Sequence, residues 1–196
     1  MSTHRPEFVK ALQLLAKAFD EVVASGFERP IIVGGAAVEF YTGGAVVSGD
    51  FDVISAAGDE LYRALLKQGF ERPSGPGALL RGVHHPALGL GVEIVSGQLF
   101  DGASDKARVR IVSIGANEVR MLPVEDLIAD RMGQFAAPAN ADLEMLGQAV
   151  ILYRIARQNL ADPLDEEYLD ARIRQETAGS LDLAFLIGKA GAADHA

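Results

Sequence analysis

The sequence predicts an α+β fold, in which a strand-rich middle section lies between an N-terminal helix and a helical C-terminal third. Residues 6–25 repeat apolar side chains at helical spacing, and residues 70–122 carry short β-branched runs separated by Gly, Pro and Asn. After Pro123 the apolar residues return to helical spacing. We therefore divide the chain into a core with its N-terminal helix, residues 1–122, and a C-terminal helical region packed on that core, residues 123–196.

Local signals define the individual elements. Pro6 suits the first position of a helix, Gly26 suits its C-terminal end, and the Gly-Gly pair after residue 33 indicates a tight turn directly after a buried strand. The predicted helices span residues 6–25, 36–41, 59–69, 124–135, 141–158, 165–176 and 181–189. The predicted strands span residues 30–33, 51–54, 78–81, 92–95, 109–112 and 119–122.

Composition restricts the class of protein. The 196 residues are 49% hydrophobic and 23% charged, which is typical of a globular domain large enough to bury its own core. The lack of cysteine excludes disulfides, thiolate zinc sites and thiol nucleophiles. No apolar run reaches membrane-spanning length and the N-terminus has no hydrophobic signal core, so we expect a cytoplasmic protein without a membrane partner.

The charge of the chain is unevenly distributed. The formal net charge is −9, which disfavours non-specific binding to duplex DNA. Residues 31–120 hold ten acidic and eight basic side chains, whereas residues 121–196 hold thirteen acidic and six basic ones. Because the last third carries most of the acidity, an RNA partner for the middle section stays open. Arg108 and Arg110, predicted to share a strand face, form either a solvated surface or a basic lip for such a partner.

Two features are suited to binding phosphates. Gly34 and Gly35 directly follow a buried strand, where a glycine turn presents backbone N–H groups with no side chain in the way. Ser48 offers a hydroxyl donor to a phosphate oxygen. A Gly-Gly pair after a strand is also a common structural turn, so this interpretation depends on what lies beside it.

Three acidic residues are suited to binding a metal ion. Asp50 and Asp52 stand two positions apart at the entrance of a strand, so their side chains project to the same face, and Glu93 lies inside an apolar run. Gathered carboxylates repel one another unless a cation neutralises them, and Mg²⁺ combines carboxylates with waters and substrate phosphates. The alternatives are a solvated Asp-x-Asp turn, and a Glu93 that is exposed at a sheet edge or satisfied by an arginine.

The order of these motifs resembles that of the polymerase-β-like nucleotidyltransferase superfamily, and within it the small bacterial proteins of the AbiEii/MenA type. The match covers residues 31–37, 41–44 and 48–53, with Glu93 in the place of the third carboxylate. It continues weakly over residues 122–146. The departures from the family pattern are Glu93 where Asp is commoner, Arg131 in place of a lysine, and Asn140 where a basic residue is common.

The resemblance implies a mixed β-sheet flanked by helices, with a helical C-terminal portion. It implies transfer of a nucleoside monophosphate from an NTP to a hydroxyl with Mg²⁺ or Mn²⁺, the catalytic and metal-binding residues being Asp50, Asp52 and Glu93. The nucleotide-binding residues that it implies are Gly34, Gly35, Ser48, Arg131 and Asp142. The acceptor would be an RNA such as tRNA or a protein, and a cognate antitoxin or the product of a neighbouring gene would be a partner.

Two other functions remain compatible with the sequence. One is a catalytically inactive member of the same fold that acts as a binding or regulatory protein. The other is an unrelated α/β module with a doubly wound parallel sheet, in which Glu93 is remote from Asp50 and the glycine turn binds a different phosphate ligand. The His84-His85-Pro86 run is interpreted as a surface strand end rather than a zinc site, because no acidic residue stands nearby at metal-binding spacing.

Overall fold

A computed structural model describes residues 4–73, 82–98, 104–137, 142–159 and 163–192, and every structural statement below concerns these residues. The chain divides into two compact units, Met1–Leu122 and Pro123–Ala196. The strand predicted at residues 78–81 lies outside the described residues. No helix in the described ranges combines the length and apolar character needed to cross a membrane.

The first unit contains three helices and six strands among its described residues. Its helices are α1 (Pro6–Ala24), α2 (Gly34–Tyr41) and α3 (Gly58–Lys67). Its strands are β1 (Ile31–Val33), β2 (Asp50–Ile54), β3 (Val83–His85), β4 (Leu90–Ser96), β5 (Arg110–Ile114) and β6 (Asn117–Met121). The second unit contains α4 (Val124–Ala136), α5 (Leu143–Asn159), α6 (Glu166–Glu176) and α7 (Leu183–Ala192).

The six strands form one mixed sheet in the order β3-β4-β2-β1-β6-β5. Strand β1 runs antiparallel to β2 and parallel to β6, while β2 runs parallel to β4. The outer strands β3 and β5 pair antiparallel with β4 and β6. The α+β class with a mixed sheet is therefore confirmed, and the described strands do not form the doubly wound parallel sheet required by the unrelated α/β module.

Helix α1 covers one face of the sheet. Its buried side chains recur at helical spacing, and Phe8, which is fully buried, stacks on Phe51 of β2 with 5.1 Å between ring centroids. Phe51 and Val53 are both fully buried, whereas Asp50 is exposed and Asp52 is half-buried. Because side chains alternate between the two faces of a strand, Asp50 and Asp52 project to the face away from α1.

One of two local features differs from the sequence prediction. Arg108 lies in a short 3₁₀ turn, Lys106–Arg108, and not on a strand with Arg110, so the predicted shared strand face is wrong. The turn forms because the Asp105 carboxylate accepts the N–H of Ala107 at 2.9 Å and caps it. The His84-His85 run, predicted to be a surface strand end, forms the end of β3, where His84 is exposed and His85 is half-buried.

The second unit is organised around α4. Its fully buried Asp126 accepts hydrogen bonds from Arg172 Nε at 2.6 Å and from the hydroxyl of Tyr168 at 3.0 Å, both of which belong to α6. Arg172 is also buried and forms a second ion pair with Glu176. These contacts satisfy charged groups that would otherwise be costly to bury, and they fix α6 against α4.

Candidate active site

The Gly-Gly pair forms the junction between β1 and α2. Gly34 has a φ of +61°, a left-handed conformation that glycine adopts without steric cost. A Cβ on Gly34 would lie 2.0 Å from Asp52 Oδ2, and a Cβ on Gly35 would lie 2.6 Å from Ser48 Oγ. The turn is therefore glycine for two reasons, its backbone conformation and the close approach of these two side chains.

Ser48 links the glycine turn to the first aspartate. Its hydroxyl donates to the backbone carbonyl of Asp50 at 2.9 Å and lies 3.5 Å from Asp50 Oδ1. The same oxygen is the atom nearest to the missing Cβ of Gly35. The loop before β2 thus returns to the start of α2. This return brings Gly35 and Ser48, which are 13 positions apart in sequence, into contact.

Strand pairing places Glu93 beside Asp52. In the parallel β2–β4 pair, Asp52 aligns with Glu93 and Asp50 aligns with Gly91. Aligned residues on neighbouring strands share a face, so the three carboxylates project to the same side of the sheet. Asp50 is exposed, while Asp52 and Glu93 are half-buried. Gly91 has no side chain beside Asp50, where a Cβ would lie 3.5 Å from Asp50 Cβ.

The donor chemistry of this face suits a divalent cation, although the side chains are not tightly gathered. Within the described ranges, no three carboxylate or imidazole side chains converge closely enough to form a metal site by themselves. Mg²⁺ commonly takes only one or two protein carboxylates and completes its shell with waters and substrate phosphates. The oxygen donors of Asp50 and Asp52 beside a glycine turn fit that requirement, and the three-ligand site stays a prediction.

Arg131 and Asp142, the other two predicted nucleotide-binding residues, belong to the second unit. Arg131 lies on α4 with 8% of its side chain exposed, and it donates to Asp130 Oδ2 at 2.9 Å. Its Nε is buried and has no hydrogen-bond partner in the part of the chain that the structure describes. Burial raises the pKa of Asp130, and the positive charge of Arg131 opposes that rise.

Asp142 is exposed and precedes α5. Its carboxylate accepts the N–H groups of Glu144 at 3.0 Å and Met145 at 3.4 Å, which is the contact of a helix N-cap. Both Arg131 and Asp142 therefore have a structural contact inside their own unit, and their nucleotide-binding roles stay predictions. Asn140 lies outside the described residues.

Arg5 and Glu39 were not identified from the sequence, yet they contact the site directly. Glu39 lies on α2 with 0% exposure and accepts the backbone N–H of Ser48 at 2.7 Å. Arg5 donates to both carboxylate oxygens of Glu39, at 2.9 and 3.0 Å, and this hydrogen bonding raises the pKa of Arg5 above its usual value. The available signal was an acidic residue inside the otherwise apolar stretch 36–41.

A cavity of about 370 Å³ lies farther along the same strands. Its lining includes Ile31 and Ile54, which are aligned in the β1–β2 pair two residues from Val33 and Asp52. Its basic residues are already engaged, since Arg29 is paired with Asp20 at 2.6 Å and Lys106 with Glu28 at 3.3 Å. The basic side chains of the cavity are therefore already paired with acidic ones, so the cavity is not suited to binding an anion.

Comparison with solved structures agrees with this architecture. The chain is similar to the crystal structure of an antigenic nucleotidyltransferase-like protein from Paracoccidioides brasiliensis, with a TM-score of 0.56 and 15% sequence identity over 93% of each chain. At that identity the likeness establishes the fold, which is nucleotidyltransferase-like. No protein-family model matches the chain, and no curated protein matches it.

Proposed function

We propose that this chain is a metal-dependent nucleotidyltransferase, which moves a nucleoside monophosphate from an NTP to a hydroxyl of an RNA or protein acceptor. The observation that carries the proposal is the direct approach of Asp52 and Ser48 to the glycine turn, with Glu93 aligned beside Asp52. A phosphate-binding turn and a carboxylate face are adjacent in this arrangement, as phosphoryl transfer requires.

The candidate site residues of the first unit divide into metal-binding and phosphate-binding groups in this proposal. Asp50, Asp52 and Glu93 would hold Mg²⁺ or Mn²⁺, which when bound supplies charge compensation for the triphosphate. Backbone N–H groups at the start of α2 bind phosphate oxygens, aided by the positive end of the helix dipole. The Ser48 hydroxyl, which donates to the Asp50 carbonyl in the free protein, would turn its proton to a further phosphate oxygen.

Glu93 accepts the proton in the chemical step. The acceptor hydroxyl oxygen forms a bond to the α-phosphorus, and the bond between that phosphorus and the bridging oxygen of the β-phosphate breaks. Pyrophosphate leaves with the bonding electrons, and the hydroxyl proton passes to the Glu93 carboxylate. Arg131 and Asp142 keep, in this proposal, the nucleotide-binding roles that the resemblance implies.

The finer relationship is part of the proposal. We assign the chain to the polymerase-β-like superfamily and liken it to the AbiEii/MenA-type proteins, with a toxin–antitoxin role as one setting for its activity. Support comes from the order of the motifs in residues 31–53. The small net charge of residues 31–120 is compatible with an RNA acceptor, since most of the acidic surplus belongs to residues 121–196.

Transfer of label from each α-³²P-labelled NTP tests this function. Purified protein is incubated with Mg²⁺ or Mn²⁺ and with total tRNA or cell protein as acceptor. We expect labelled acceptor with the wild type and a loss of at least ~100-fold in Asp50→Asn, because a metal-binding charge is removed. Asp59→Asn is the matched control, since Asp59 is an exposed acid at the start of α3. No transfer by the wild type with any NTP would contradict the proposal.

A second candidate is a catalytically inactive nucleotidyltransferase-fold protein that binds a partner or nucleotide. The observation that favours it is the lack of three convergent metal-ligating side chains among the described residues. Isothermal titration calorimetry with each NTP separates the two functions. Nucleotide binding without label transfer, unchanged in Asp50→Asn, would support the inactive protein, whereas metal-dependent transfer would exclude it.

A further inference from the structure

The buried carboxylate of Glu39 is the centre of a contact that joins the N-terminus, α2 and the loop before β2. Its Oε1 accepts Arg5 Nε, and its Oε2 accepts both a second guanidinium nitrogen of Arg5 and the backbone N–H of Ser48. All three donors lie within 3.0 Å of a side chain with 0% exposure. Glu39 therefore has the charge-assisted partners that a buried carboxylate needs.

Arg5 holds the other side of the same peptide segment. The guanidinium nitrogen that donates to Glu39 Oε2 also donates to the backbone carbonyl of Ser48. The N–H of Ser48 is thus held by Glu39 and its C=O by Arg5. A planar guanidinium with donors in a fixed fork suits this double contact, which an ammonium group does not reproduce.

Aromatic stacking fixes the backbone next to Arg5. The ring of His4 stacks on Phe40 of α2, with centroids 5.4 Å apart and 11° between planes, and it contacts Phe8 at 5.5 Å. Phe40 directly follows Glu39 in the sequence. His4 and Arg5 are therefore both attached to α2, His4 by stacking on Phe40 and Arg5 by its ion pair with Glu39.

We propose that Arg5 and Glu39 are positioning residues, which hold the backbone of Ser48 and through it set where the Asp50 carboxylate lies at the start of β2. The inference rests on the proposed function for its catalytic consequence. Ser48 is the link because its hydroxyl donates to the Asp50 carbonyl and approaches Gly35. Neither Arg5 nor Glu39 needs to touch the nucleotide for this role.

The energetics of a buried ion pair favour a positioning role for Arg5 and Glu39 over a purely stabilising one. A buried ion pair recovers little more than the desolvation cost of its own charges, so a well-packed apolar pair would stabilise the fold as well. An apolar pair would leave the N–H and the C=O of Ser48 without these partners. The feature that only the charged pair provides is a defined position for that peptide, and this position determines where Asp50 begins β2.

Glu39→Gln is the first test variant. It keeps the size of the side chain but replaces one acceptor oxygen with an amide donor, which faces an N–H of Arg5 or of Ser48. We expect KM for the Mg²⁺-NTP complex to rise ~10–100-fold, as when partners outside the metal's own ligands are removed.

Arg5→Lys keeps the charge without the fork, and we expect a smaller rise in KM than for Arg5→Gln. Arg63→Gln is the control, because it breaks an exposed ion pair with Glu60 in the same unit.

Amide hydrogen exchange at Ser48 provides a readout that does not depend on catalysis. We expect exchange at Ser48 to accelerate at least ~10-fold in Glu39→Gln and Arg5→Gln, while protection in the core strands stays unchanged, since local opening exposes only this peptide. The Arg5 variants keep the measurement available if Glu39→Gln does not fold, because Arg5 is 30% exposed.

The outcomes separate the two proposals. A wild type that transfers no nucleotide would overturn the proposed function, and unchanged exchange at Ser48 would independently overturn the positioning contact. Faster exchange at Ser48 with unchanged KM and kcat in an active enzyme would overturn the catalytic part of this inference. Partial recovery of KM in Arg5→Lys relative to Arg5→Gln supports it, whereas equal KM values in these two variants would contradict it.

Discussion

At the scale of single residues, the candidate site depends on two glycines at positions where a Cβ would collide with a neighbouring side chain. Gly34 allows the Asp52 carboxylate to approach the start of α2, and Gly35 does the same for the Ser48 hydroxyl. A carboxylate close to the N-terminus of a helix is favourable, because the exposed N–H groups carry partial positive charge. The two glycines therefore determine how closely the start of α2 and the carboxylate face approach each other.

Replacement of Gly34 by alanine tests this requirement. The new Cβ would lie 2.0 Å from Asp52 Oδ2 and the backbone would keep a φ of +61°, so both Asp52 and the turn must move. We expect unfolding free energy to fall by at least ~1 kcal/mol and nucleotide transfer to be lost. Chemical denaturation and the label-transfer assay measure the two effects.

Gly49→Ala is the matched control for Gly34→Ala. Gly49 lies in the adjoining loop, and a Cβ there would meet nothing within 4 Å. We expect it to retain transfer activity. Full activity in Gly34→Ala would show that the close packing of Asp52 on the turn is not needed.

The sequence contained most of the local information about these residues. The Gly34-Gly35 turn and the same-face placement of Asp50 and Asp52 follow from short-range rules, namely the conformational freedom of glycine and the two-residue period of a strand. The Arg5–Glu39 pair could not be predicted in this way, because its members are 34 positions apart and meet only in the folded chain.

At the scale of secondary-structure elements, strand order was the information that local patterns lacked. The pairing of β2 with β4 aligns Asp52 with Glu93, and nothing in the run 92–95 specifies which neighbour it pairs with. Strand β3 carries two histidines in three residues, so its strand signal is weak. The 3₁₀ turn at Lys106–Arg108 depends on a cap by Asp105, a side-chain effect that a period of two does not reveal.

The contact between α4 and α6 offers a prediction about stability alone. Asp126→Ala leaves Arg172 buried with one fewer carboxylate partner and leaves the Tyr168 hydroxyl without its Asp126 contact. We expect a loss of about 3–5 kcal/mol in unfolding free energy, measured by urea denaturation. The double variant Asp126→Leu with Arg172→Met removes both charges together, and we expect it to recover most of that loss. A double variant as unstable as Asp126→Ala would contradict the desolvation argument.

At the scale of the whole molecule, the proposed function couples the distribution of charge to ligand binding. Asp50, Asp52 and Glu93 face the same side of the sheet, so their ionised forms repel one another, and a bound cation relieves that repulsion. A substitution that removes one of these charges therefore has opposite effects in the presence and absence of ligand. This is the balance expected at a binding site, where local stability is lower than the fold itself would allow.

Thermal unfolding of Asp50→Asn measures both effects in one protein. Without ligand, we expect Asp50→Asn to unfold at the same temperature as the wild type or slightly above it, because Asp50 is exposed and the repulsion it contributes is small. With Mg²⁺ and an NTP at 100 times the dissociation constant, the wild type gains about 2.7 kcal/mol, which corresponds to roughly 5–10 °C in a chain of this size. Asp50→Asn should gain much less under the same conditions, while Asp59→Asn should follow the wild type. An equal ligand-induced shift of the unfolding temperature in Asp50→Asn would show that Asp50 is not part of the binding site. A ligand stabilises a protein only through the affinity that the native state has for it.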